Sequence, residues 1–171
     1  EGNKYTMVSI NIPFSYNKKN LTFYRNQNRN SMNKNGFLPN LMLNFQKRYS
    51  EFGKGAWLCT FDYEYKVDFP PLYSMIDFRN TSNPLFVENG NANLRNVRTH
   101  NFFGQLFWQN AFNNIHRMNF SYIIIDNQIA NIRCFDKNTG ITELFPVNID
   151  GNSTFNINFV NNIFFNFSHS Q

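Results

Sequence analysis

Cysteine and histidine are scarce in this chain, at two and three of 171 residues. No Cys-x-x-Cys pair and no Cys/His ligand spacing occurs, so a structural zinc site is not signalled. His100, His116 and His169 are widely separated. There is no Gly-x-Ser-x-Gly elbow, and Gly53-Lys54-Gly55 is too short to cradle a phosphate. These absences point away from an enzyme, and no cofactor or metal is expected. No apolar run is long enough to span a membrane, and no signal-peptide pattern opens the chain. The chain starts at Glu1 rather than Met, so it reads as an excised domain or a processed fragment. Its length suits a single domain over residues 1–171. Cys59 and Cys134 each fall in an apolar stretch, so two buried free thiols are expected. A bridge between them stays open for an oxidising compartment.

What the chain has instead is aromatic and amide. Twenty-one Phe and eight Tyr must supply much of the interior, because Leu, Val and Ala are sparse. Asn is abundant and favours turns over long helices. An AT-rich coding sequence would produce the same bias. Asn-x-Ser/Thr occurs at Asn20, Asn80, Asn119, Asn152 and Asn166, against about three expected by chance, so glycosylation is weakly supported.

The clearest element is Gly55 to Phe69. Trp57, Cys59, Phe61, Tyr63, Tyr65, Val67 and Phe69 alternate with Thr60, Asp62, Glu64, Lys66 and Asp68. A period of two places one set on each face of a strand, so an inward apolar wall and an outward polar one are expected. Residues 5–14 read as a first strand and Leu21 to Tyr24 as a second, after a turn at 17–20. Residues 25–36 read as a mobile polar loop. Leu38, Leu41, Met42, Phe45, Tyr49 and Phe52 recur at three and four, which predicts a helix over Phe37–Phe52. Leu41, Leu43 and Phe45 also alternate, so a short strand competes there. Phe103, Phe107, Ala111, Ile115 and Met118 predict a second helix. Leu72 to Phe78 reads as a short strand, 80–84 as a turn and Leu85 to Val87 as a brief apolar run.

Strands at 120–125, 129–135, 141–147 and 155–159 follow, with another over Ile163, Phe165 and Phe167. Turns at 126–128, 136–140, Asp150-Gly151 and Asn161-Asn162 separate them, so the series reads as successive antiparallel hairpins. The class expected is α+β, a mostly antiparallel β-sheet with two amphipathic helices. The alternative is an all-β galectin-like sandwich.

Two families of residue type stand out as candidates for function. Residues 72–102 mix aromatic, amide and charged groups with no dominant apolar face. Loops of this kind carry binding groups, which selects Tyr73, Asp77, Arg79, Arg95, Arg98, His100 and Asn101 as candidate ligand contacts. The second family is basic. Residues 1–54 carry nine Lys/Arg against two acids, and residues 55–171 seven against nine. Lys18, Lys19, Arg25, Arg29, Lys34, Lys47 and Arg48 are therefore candidates for a polyanion surface. The polar loop lacks the interleaved rings that nucleobase stacking needs, so nucleic acid is the disfavoured partner.

Ser121 to Phe145 brings together Ile123-Ile124-Ile125, the turn Asp126-Asn127, the strand Ile129 to Phe135 and the turn Asp136 to Gly140. With Trp57 to Val67, this resembles the head domain of the rotavirus outer-capsid spike over roughly a third of the chain. The resemblance implies a galectin-like β-sandwich, attachment to host cell-surface glycans without catalysis, the rest of a spike protein as partner, and a place on the virion outer capsid, with a secreted domain as the alternative. It carries over no individual contact residue. A structural subunit of a larger assembly is the third reading, and its mark would be a large exposed apolar patch.

Overall fold

A computed structural model describes residues 2–25, 28–76 and 79–164. In order, the elements are β1 (Asn3–Asn11), β2 (Phe14–Arg25), β3 (Asn28–Pro39), β4 (Leu41–Glu51), β5 (Gly55–Asp68), α1 (Leu72–Met75), β6 (Arg79–Asn83), β7 (Phe86–Asn89), β8 (Val97–Asn110), β9 (Ile115–Asp126), β10 (Gln128–Phe135), β11 (Thr142–Ile149) and β12 (Asn152–Asn162). Among the described residues about 75% are strand and 3% helix, which overturns the α+β expectation in favour of an essentially all-β chain.

Six strands form the main sheet in the order β1-β4-β5-β8-β9-β12, every pair antiparallel. Four others form a second sheet, β10-β11-β7-β6, and β2 pairs with β3 alone. The β11–β7 pair is parallel, an exception within the mostly antiparallel arrangement that was expected.

Both predicted helices are strands. Leu41, Leu43, Phe45, Lys47 and Tyr49 pair with Tyr65, Tyr63, Phe61, Cys59 and Trp57, so the competing alternation prevails over the 3.6-residue period. A helix would have left Leu43 off its apolar stripe. The second helix is interrupted by its own asparagines. Asn110 Oδ1 accepts from the backbone N–H of Phe112 (2.9 Å) and of Asn114 (3.0 Å), and Asn113 takes φ +63°, so the segment folds into the β8–β9 turn. Side chains that bond their neighbouring backbone in this way favour turns over helix interiors.

Other expectations are corrected as well. No turn falls at 17–20, because β2 runs through it. The supposed loop over 25–36 includes most of β3, ordered by backbone pairing with β2 rather than by apolar content. Leu72 to Met75 is one helical turn after Pro70-Pro71. Residues 80–83 belong to β6, and the turn follows them. The strands flanking Asp126 to Gln128 do not pair as a hairpin. β9 stays in the main sheet and β10 starts the second, with buried Asn127 at φ +53° making the corner. Asn161 and Asn162 end β12 rather than forming a turn; of the strand expected over Ile163, Phe165 and Phe167, Ile163 lies in no strand and the two phenylalanines lie outside the described residues.

The alternation of β5 holds, and cross-strand pairing spreads it over the whole sheet. Ile10, Leu43, Tyr63, Phe102, Tyr122 and Phe155 stand in one row. The next holds Val8, Phe45, Phe61, Phe120 and Ile157, with Gly104 at the β8 position. The Phe120 ring lies where a Cβ on Gly104 would be, filling the gap in the row. The opposite face carries Ser9, Asn44, Asp62, Phe103, Ser121 and Asn156 in one row. Its amides bond across strands: Asn44 Nδ2 donates to Asp62, Gln105 Nε2 to Asn119 Oδ1 at 3.0 Å, and Asn156 Nδ2 to Ser121 Oγ at 3.4 Å.

The aromatic face is not the buried wall expected. Buried apolar side chains gather at the Asp68 end, as Leu38, Val67, Phe69, Met75, Ile76, Val87 and Leu94. There Leu38 of β3 closes over Val67 and Phe69, with Tyr65 beside them. Further down the sheet no described segment covers the face, and Phe61 is 40% and Trp108 53% exposed. Neither thiol is bridged; Cys59 is half-buried on this face, and Cys134 is exposed, contrary to the expected burial.

Candidate functional site

The concave feature that best joins an exposed ring to polar groups lies between α1 and the second sheet. Pro70-Pro71 ends the extended run, and the Ser74 N–H donates to the Pro71 carbonyl at 3.1 Å, closing a single turn. That turn sends Met75 and Ile76 inward and leaves Tyr73 outside, 68% exposed. Asn91 ties the turn to the sheet. Its backbone N–H donates to the Ser74 carbonyl (2.8 Å) and its side-chain amide to the Pro146 carbonyl (2.9 Å).

The resulting cleft has a volume of about 320 Å³ and is lined by Pro71, Tyr73, Ser74, Glu88, Asn89, Ile129, Asn131, Leu144 and Pro146. Ligand sites begin at about this size. Leu144, Pro146 and Ile129 form an apolar base, while Glu88 and Asn131 are exposed and Asn89 Nδ2 is enclosed without a hydrogen-bond partner. An amide donor left unmatched in this way is costly unless something meets it.

The seven candidate contacts are not brought together. Tyr73 alone lines the cleft, and Asp77 lies outside the described residues. Arg79 forms an ion pair with Glu143 Oε1 at 2.7 Å; Glu143 alternates away from Leu144 and Pro146, so the pair lies on the opposite face of the second sheet. The backbone of Arg95 is held by Asn148, whose Oδ1 accepts from the Arg95 N–H at 2.7 Å. Arg98 and His100 project onto the aromatic face of the main sheet and Asn101 onto its polar face, by strand alternation. His100 Nδ1 lies 2.9 Å from the Tyr63 hydroxyl, and its Nε2 lies 3.8 Å from Asp126. Its ring packs between Tyr63 and Tyr65, with centroids at 6.2 and 4.9 Å.

Ser74, Glu88, Asn89 and Asn131 were not foreseen. They are drawn from α1, β7 and β10, and no local pattern separates them from the chain's many other asparagines and polar residues. Of the partners of His100, Tyr63 was visible only as a strand residue and Asp126 only as a turn residue.

The basic residues divide between two places. Lys19 and Lys34 face one another across the β2–β3 hairpin, whereas Lys47 and Arg48 sit on opposite faces of β4. A larger, more open hollow of about 470 Å³ lies at the β1–β4 edge, lined in part by Lys4, Lys47, Tyr49 and Trp57. Both lysines there lie over rings, Lys4 at 5.1 Å from Tyr49 and Lys47 at 6.0 Å from Trp57. Among the described residues no cluster of His, Cys, Asp and Glu is placed to hold a metal, and no helix is long and apolar enough to cross a membrane. No family model, no curated protein and no solved structure matches this chain.

Proposed function

We propose that this chain is a non-enzymatic recognition domain that binds carbohydrate in the Tyr73 cleft. The observation that carries the reading is the exposed Tyr73 ring at the rim of a small concavity that also offers Glu88, Asn131 and Ser74. A sugar presents an apolar C–H face and a fringe of hydroxyls. The ring stacks on the first, and carboxylate, amide and hydroxyl groups exchange hydrogen bonds with the second. Taken with the resemblance to a rotavirus spike head, the ligand is a host cell-surface glycan and the setting a virion outer capsid. The polyanion alternative is the weaker one, because Lys4 and Lys47 are engaged over rings and Lys34 is turned to the Leu94 carbonyl and the Phe69 ring.

A glycan array run at low and high salt, beside a generic oligonucleotide, tests the reading. Binding to neutral sugars should be insensitive to salt and fall at least about tenfold in Tyr73→Ala, a loss of about 1.4 kcal/mol. The unfolding midpoint should stay in place, because the Tyr73 ring is largely solvated. Binding confined to anionic probes, steeply weakened by salt and indifferent to Tyr73, would instead mark a polyanion surface.

A further inference from the structure

The main sheet is amphipathic and one layer thick. Its polar face bonds amides across strands and carries scattered apolar groups such as Met7, Met42 and Phe103 among them, open to water. Among the described residues its aromatic face is covered only at the Asp68 end. A sheet with one apolar face is stable when that face is packed against another layer. The surface area gives the same answer. The chain exposes 12486 Å², where a compact monomer of 20.3 kDa exposes about 8,800 Å².

We propose that the aromatic face of the main sheet is the interface of a homodimer, in which two copies stack face to face as the layers of a β-sandwich. Three features select a second copy over another partner. The first is chemistry. From the Trp57 row to the Tyr63 row the face carries no Asp or Glu, and its lysines, Lys4 and Lys47, are laid over rings at one edge. A basic partner would find no counter-charge there, whereas an identical aromatic face matches it. The second is shape. Two sheets of the same twist pack aligned at about −30° and about 10 Å apart, and copies of one sheet share their twist and strand length by construction.

The third is area. Six strands with about eleven paired residues each give a footprint of about 1,000 Å² at ordinary strand spacing and rise. Two such faces together reach about 2,000 Å², where obligate homodimer interfaces begin. No residue of the Tyr73 cleft belongs to this face, so the dimer stands apart from the carbohydrate reading.

The test uses the purified chain. Sedimentation velocity from about 1 to 100 µM should show a species of twice 20.3 kDa. Hydroxyl-radical footprinting of the same sample should protect Trp108 and Phe155 on the aromatic face while Met7 and Met42 on the polar face are oxidised. Phe61→Lys should weaken association by about a hundredfold, because it buries an unpaired ammonium between the layers. Thr60→Lys adds the same charge to the opposite face and should leave the dimer intact. A wild-type chain that is monomeric at 100 µM overturns the proposal, as does a dimer whose two faces are labelled alike or one unaffected by Phe61→Lys. If Phe61→Lys fails to fold, the wild-type footprint decides.

Discussion

Leu38→Ala tests where this chain keeps its core. Leu38 is 6% exposed and closes over Val67 and Phe69, each 8% exposed, so it is the apolar contact that seats the β2–β3 hairpin on the main sheet. Burying a leucine side chain contributes about 1.5–3 kcal/mol, and the cavity left by truncation adds to the loss. The hairpin is joined at one end and can settle partly into the space, so a cost of about 2–3 kcal/mol is expected, in the lower part of the Leu→Ala range. The effect should also be local. In hydrogen exchange, amides of β2 and β3 should lose protection while the β5 and β8 amides keep theirs. Leu85→Ala is the control, since Leu85 is 61% exposed and its truncation should cost less than about 0.5 kcal/mol. Urea titrations followed by circular dichroism measure both variants. Equal costs for the two, or a uniform loss of protection across the main sheet, would refute the placement of the core at the Asp68 end.

Lys34 gives a pH test. Its ammonium lies 3.4 Å from the Leu94 carbonyl and 5.6 Å from the Phe69 ring, and burial, then Lys19 across the hairpin, lower its pKa below the ordinary 10.5. The unfolded chain holds that proton more tightly, so the charge disfavours folding at every pH below the lowered value, and the handicap fades as pH rises to 10.5. The stability of the wild type relative to Lys34→Met should therefore rise across that window in paired urea titrations, and a flat difference would show that Lys34 is solvated. At Gly90, an added Cβ would fall on the carbonyl of Ile76, which is backbone and cannot swing aside. Gly90→Ala should cost about 3 kcal/mol by thermal or urea unfolding. It should also abolish binding in the Tyr73 cleft, because Asn91 next to it bonds Ser74.

Much of the strand content was legible because it is written locally. The alternation from Trp57 to Phe69 needs no partner to be read, and the turn signals at Asp136 to Gly140 and Asp150-Gly151 separate strands that the structure contains. Where two periods overlapped, the local record was ambiguous. Leu41, Met42 and Phe45 fit a helix and Leu41, Leu43 and Phe45 fit a strand. The difference was made by β5, whose backbone and aromatic side chains offer a partner only to the strand. Pairing of this kind joins residues distant in sequence, and propensity does not record it.

By itself, the amino-acid sequence determined that the β5 segment is two-sided, that one side is aromatic, and that common metal and nucleophile motifs are absent. Tertiary structure decided which strands stand beside β5, that β9 and β10 part company at Asn127, and that Tyr73 lines one cleft with Glu88 and Asn131. Alternation specifies that a side chain faces one way, but what lies opposite depends on the path of the whole backbone. For most of the aromatic face of the main sheet, that path brings no second layer from the described chain.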